Sequence, residues 1–250
     1  MKHTKHSILL LGTMSAMSLG GCADVEATTV SAGDALTLAR VQPVPNLTLG
    51  ERSLYGAWGA RWWQWAYSLP VSRSPLFDDT GARCAEGQSG PVWFLAGYFL
   101  GDPAVTSVTR ECAIPSGKTL FFPLVNAELD PFGVEPAPTD DEIFAEVRAL
   151  IDGTTDRYAT LDGVAIPRVE RGRGAAGPFA YSVPPGGDDL LTLWGYPGAP
   201  PVLERAFSDG YWLMLPPLAP GRHALRFGGR FADGSPMSVT YHLSVATRGR

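Results

Sequence analysis

Oxygen-bearing side chains alternate in Asn126-Ala127-Glu128-Leu129-Asp130, the sequence's closest approach to a chemical site. Oxygen clusters of this kind bind hard cations such as calcium, although the twelve-residue EF-hand loop is absent. Two neighbouring carboxyls also suit glycoside cleavage, where one donates a proton and the other acts as base or nucleophile because their surroundings split their pKa values. Asp78, in Asp78-Asp79-Thr80-Gly81, is a third carboxylate for that scheme. The plain alternative for both segments is a solvated turn, and it is the default. No catalytic residue, metal or cofactor is assigned. Glu128, Asp130 and Asp78 stand as the catalytic alternative, and Asn126, Glu128 and Asp130 as the calcium alternative.

Trp58, Trp62, Trp63 and Trp65 form the second constellation. Flat aromatic faces stack on sugar rings, yet each indole also buries a large apolar area, and core packing is the commoner use. Trp63 lies off the main stripe and is expected to be the exposed member, hence the candidate ligand-binding residue. Three further motifs fail on context. Gly87-Gln88-Ser89-Gly90-Pro91 approaches a nucleophile elbow, but Pro91 replaces the last glycine and a strand, not a helix, follows. Among the histidines outside the leader, His223 reads as a turn residue ahead of a strand and His242 as the polar face of a strand; His223 as the base of a Ser–His pair is the minor alternative. Gly172-Arg173-Gly174-Ala175-Ala176-Gly177 matches the dinucleotide pattern letter for letter, but Pro178 follows and no apolar helix does, so an exposed flexible loop is expected.

The elements that must position these residues are mostly short strands. Trp58, Trp62, Trp65 and Leu69 recur at helical steps until Pro70 ends the run. A second helix starts at Thr139-Asp140-Asp141-Glu142, carries Ile143, Phe144, Val147, Leu150 and Ile151, and ends at Gly153. Strand patterns fall at 92–99, 119–125, 158–161, 164–169, 179–183, 190–194, 211–215, 222–227 and 238–245. In the last, Val239, Tyr241, Leu243 and Val245 alternate with polar residues, and 222–227 is its expected partner. The fold class is therefore mainly β: a single β-sandwich, Ig-like or jelly-roll, with two short helices over residues 49–250.

Ahead of that domain, Lys2 and Lys5, an apolar run from Ile8 to Leu19, and Leu19-Gly20-Gly21-Cys22 read as a lipoprotein signal peptide over residues 1–21. Cys22 in this setting resembles a lipobox cysteine, acylated with palmitate-type chains; several chains anchor durably because each buried methylene contributes about 0.8 kcal/mol. Residues 22–48 read as a tether. Cleavage leaves 229 of 250 residues, and losing two lysines moves the formal charge from −5 to −7. No basic cluster remains to neutralise phosphates, so nucleic acid is not an expected partner. Cys84 and Cys112 are then a pair in an exported protein, and a disulfide between them is expected.

The segments Tyr55 to Ala66, Gln88 to Gly97, Gly117 to Pro123 and Asp209 to Gly229 resemble a family of uncharacterised bacterial exported proteins across nearly all of residues 50 to 246. The resemblance implies an exported envelope protein and carries over no catalytic residue. The combined expectation is a membrane-anchored envelope lipoprotein, delivered to the outer membrane. It acts as a non-enzymatic binding or structural module with a polysaccharide or envelope protein as partner. The alternative is a secreted carbohydrate-active hydrolase using the paired carboxylates.

Overall fold

The computed structural model describes residues 49–99 and 104–247. The expected signal peptide, Cys22 and the tether lie outside the described residues. Helix α1 (Leu49–Ser68) opens the domain, followed by strands β1 (Val92–Phe94), β2 (Val108–Ile114) and β3 (Thr119–Leu129). Next come α2 (Asp140–Asp152), β4 (Thr155–Leu161), β5 (Val164–Ala165), β6 (Arg173–Ser182) and the one-turn helix α3 (Leu190–Leu193). Strands β7 (Val202–Leu215), β8 (Gly221–Arg230) and β9 (Pro236–Val245) complete it. Among the described residues no helix is long and apolar enough to cross a membrane.

The strands form two packed sheets, ordered β1-β3-β7-β6 and β2-β9-β8-β4-β5. Pairing is antiparallel except for β1 with β3 and β2 with β9, so each sheet carries a parallel edge pair that an Ig-like sandwich of antiparallel sheets lacks. The expected partnership of β8 and β9 is present, in register from Gly221 opposite Val245 to Arg230 opposite Pro236. Between the sheets lie Leu120, Phe122 and Leu124 of β3, facing Leu225, Phe227, Val239 and Tyr241. Each such side chain taken out of water stabilises the fold by about 1.5–3 kcal/mol. The capping box of α2 forms as expected: Glu142 N donates to Thr139 Oγ1 and Thr139 N to Glu142 Oε2. Its Ile143, Val147 and Ile151 cover Ala127, Leu129 and Phe207.

The outer face of the four-stranded sheet is covered by α1, giving a third layer. From residue 54 onward, Leu54, Ala57, Arg61 and Ser68 are its exposed positions, spaced as one narrow stripe, while most of the rest of that stretch is sunk into protein. That depth requires contact between backbones. A Cβ on Gly56 would lie 2.0 Å from the Ala175 carbonyl oxygen, and one on Gly174 would lie 2.5 Å from the Gly56 nitrogen. The glycines of 172–177 therefore belong to β6 and the turn before it, where Gly174 lets the helix lie directly on the strand while Gly172 and Gly177 lie against Trp212 and Phe207 of β7. This corrects the expected flexible loop.

Three further expectations change. Residues 190–193 are helical instead of extended: the Asp189 carboxylate accepts from Thr192 N at 2.8 Å and caps a turn that buries Leu190 and Leu191. Strand β2 had no counterpart in the sequence pattern, because one of its inward positions is Arg110. That guanidinium is fully buried and donates to the carbonyls of Asp78, Ala96 and Gly97 and to the Tyr241 hydroxyl, at 2.6 to 3.0 Å. Among the described residues the α-helices number three where two were expected, and α1 spans 20 residues. Cys84 and Cys112 are joined, with Cα atoms 5.9 Å apart. Closing that loop contributes about 3.6 kcal/mol on the chain-entropy estimate.

Candidate functional site

A β-bulge creates the buried polar site. On β3, Phe121 points towards α1, while Leu120 and Phe122 point between the sheets. The register with β7 shifts between Pro123 and Val125, where one extra residue reverses the alternation, and proline is tolerated at such irregularities. Asn126, Glu128 and Asp130 consequently face the helix, opposite Gly210 and Ser208 of β7, while Ala127 and Leu129 turn to α2. The alternating spacing seen in the sequence is real, but the solvated turn is corrected to a buried strand: Asn126 and Glu128 are each 1 % exposed.

Helix α1 delivers Tyr67, whose hydroxyl donates to Glu128 Oε2. Strand β6 delivers Tyr181, which donates to Asp130 Oδ2 at 2.6 Å. The two phenol rings stack with centroids 4.0 Å apart and planes 19° from parallel. Burial, and then the neighbouring Asp130, holds the Glu128 carboxyl well above the usual range against the opposing hydrogen bond from Tyr67. Burial likewise raises Asp130, against hydrogen bonds from Tyr181 and the Phe132 amide. Glu128 Oε1, Asn126 Nδ2, Ser208 Oγ and Trp63 Nε1 are buried without a partner. Such atoms are uncommon in folded proteins, and each one calls for a reason.

These placements decide among the residues singled out in the sequence. Trp63 is fully buried, with its ring against Trp62 and Tyr67, so its expected exposure is corrected. A helix wetted along one stripe leaves no second face, and the partly exposed indole is Trp58. Asp78 is buried, and its carboxylate accepts from Thr80 N, Thr80 Oγ1 and Arg83 N at 2.6 to 2.9 Å. Asn126, Glu128 and Asp130 share a face, but both Asp130 oxygens already accept hydrogen bonds, from Phe132 N and Tyr181. Among the described residues no group of three or more His, Cys, Asp or Glu side chains is placed to hold a metal ion. His223 lies elsewhere: Nδ1 meets Asp162 at 2.8 Å, Nε2 meets the Ala219 carbonyl oxygen at 2.9 Å, and with Glu111, Arg222 and His242 it lines a separate depression. Gln88 bonds both backbone groups of Phe94, fixing Gly87 to Pro91 as the approach to β1.

Two concavities open to the surface near these elements. One, of about 400 Å³, has Asp130 in its wall together with Phe132, Glu135, Leu203, Glu204 and Arg205. The other is a groove of about 430 Å³ between the wetted stripe of α1 and the segment leading into β1. Its walls are Trp58, Arg61, Gln64, Trp65 and Ser68 on one side and Gly87, Ser89, Pro91, Val92 and Phe94 on the other. The Arg61 guanidinium sits 4.5 Å above the Trp58 ring, and among the described residues no carboxylate pairs with it.

Tyr67, Tyr181 and Ser208 were not singled out in the sequence, and neither was Arg61 as a ligand contact. Tyr67 alone carried a signal, four residues after Trp63 and so on the same side of the helix. Compared with protein families, with curated proteins and with solved structures, the chain finds no match, so its function is read from the chemistry of these residues.

Proposed function

We propose that the protein is an exported, lipid-anchored binding protein of the bacterial envelope, tethered through Cys22, whose α1 groove takes a saccharide. The groove carries the reading: a partly exposed Trp58 ring beside a second indole, with a guanidinium, an amide and two hydroxyls around it. Sugar rings present an apolar C–H face that stacks on an indole, and an equatorial rim of hydroxyls that needs such donors and acceptors. Arg61, beside the Trp58 ring and with no carboxylate partner among the described residues, supplies donors at the rim of the groove. The hydrolytic alternative has less support. Asp78 is consumed by its own turn, and Glu128 is enclosed where a glycosidic bond has no described path to it.

Two measurements test the two halves. Cys22→Ala is expected to move the protein from the membrane fraction to the soluble fraction, and mass spectrometry of the wild type should show an acylated amino terminus. On a glycan array the wild type should bind a defined set of oligosaccharides. Trp58→Ala should weaken that binding at least about tenfold, the loss of about 1.4 kcal/mol expected for an aromatic contact. A blank wild-type array removes the saccharide reading.

A further inference from the structure

We infer that the saccharide taken by the α1 groove is acidic, carrying a carboxylate that pairs with Arg61; the inference rests on the saccharide reading and adds the class of sugar. Trp58, Arg61, Trp65 and Ser68 follow one another at steps of three, four and three, so a single face of α1 lines the groove. Of the residues in its walls, Arg61 alone carries a charge. Acidic residues outnumber basic ones in the chain, 25 to 20, yet none lines this groove. Glu86, which precedes Gly87 in the facing wall, has its carboxylate held by Arg73. Lys118 donates to the Gly90 carbonyl, between Ser89 and Pro91, and so sets a second cation against that wall. Neither Arg61 nor Lys118 pairs with a carboxylate among the described residues.

The distribution of hydrogens points the same way. Trp65 Nε1 donates to the Glu86 carbonyl at 2.9 Å and Ser68 Oγ to the Trp65 carbonyl at 2.8 Å, so neither has a hydrogen left for a ligand. Gln64 Nε2 gives one of its hydrogens to the Ala180 carbonyl at 2.7 Å. Beyond the other Gln64 hydrogen and the Ser89 hydroxyl, the free side-chain donors of the groove are those of Arg61. A sugar hydroxyl accepts from a guanidinium singly, whereas a carboxylate accepts two parallel, charge-assisted bonds across the fork. The Trp58 ring, 4.5 Å from the guanidinium carbon, restricts its swing, so less freedom is lost when the fork is engaged. A uronic acid joins both needs in one ring: an apolar C–H face for the aromatic wall and a carboxylate at its edge for Arg61.

A glycan array that carries each uronic-acid oligosaccharide beside its carboxyl-reduced, neutral form tests the inference, with the full-length protein held in a sugar-free nonionic detergent. In every bound pair the acidic member should bind at least about fivefold more tightly, the upper end for an exposed ion pair, and raising sodium chloride to about 0.5 M should shrink that ratio. Arg61→Gln should bring the ratio to about one. Equal binding of acidic and neutral members overturns the inference and leaves the saccharide reading standing, whereas a blank array overturns both. A preference that survives Arg61→Gln, or one indifferent to salt, also overturns it, as does a sulfated neutral chain bound as tightly as the uronic acid. Circular dichroism reports whether the variant folds, and if it does not, the wild-type ratio and its salt dependence decide.

Discussion

Replacing Gly56 with valine is expected to leave the protein unfolded at room temperature, with no cooperative urea transition and the helical circular dichroism lost. The valine Cβ would fall 2.0 Å from the Ala175 carbonyl oxygen, and a strand backbone cannot swing aside as a flexible side chain can. Relief requires α1 to lift from β6. Lifting it separates Trp62 and Trp63 from the sheet and from Trp212, all fully buried. A single core truncation costs about 2–5 kcal/mol, and a whole domain commonly holds only about 5–15 kcal/mol. Prying apart a layer of indoles exceeds the first and approaches the second. The control is Ala57→Val on the exposed stripe, which should cost less than about 1 kcal/mol, the scale of a helix propensity change. A Gly56→Val protein as stable as that control would mean the helix is not seated on these glycines.

The same close packing explains which parts of the fold were legible in the sequence. Strand β9 was read correctly because one of its faces is wet and the other dry, so its residues alternate. Helix α1 was recognised as a helix but misjudged in depth. Periodicity reports which side is wet, and with only one stripe wet it cannot rank Trp58 against Trp63. Gly174 carried a signal whose meaning depended on Gly56, more than a hundred residues away. Strand β2 was hidden because Arg110 takes an inward position, compensated by carbonyl partners from distant loops. The carboxyl site was half legible. Alternation of Asn126, Glu128 and Asp130 was plain, but facing the helix depends on a bulge, and the tyrosines that complete the site arrive from α1 and β6.

Stability is expected to fall as pH rises from the usual carboxylate range towards alkaline values, and Glu128→Gln is expected to remove most of that fall. Burial and then the charge of Asp130 raise the Glu128 carboxyl, and burial raises Asp130. The folded chain thus holds these protons more tightly than the unfolded chain, whose carboxyls titrate near about 4. Their contribution is complete below that unfolded value and is lost as pH climbs through the raised folded values. Asp78 has the opposite sign: burial pushes it up, but hydrogen bonds from Thr80, Arg83 and Gly81 leave it lowered, so its contribution disappears as pH falls through its folded value. The acid limb of the stability curve belongs to Asp78, and the alkaline limb chiefly to Glu128 and Asp130. Asp209 is also raised, with burial outweighing Arg173, so part of the alkaline limb survives in the variant. An uncompensated ion in a protein interior costs several kcal/mol, whereas glutamine in the same place is neutral at every pH. Urea midpoints measured across a pH series should therefore show wild type and Glu128→Gln close together in acid and separating by more than about 1 kcal/mol per pH unit beyond the onset. Parallel curves would place the ionisable proton somewhere other than the floor beneath the tryptophan helix.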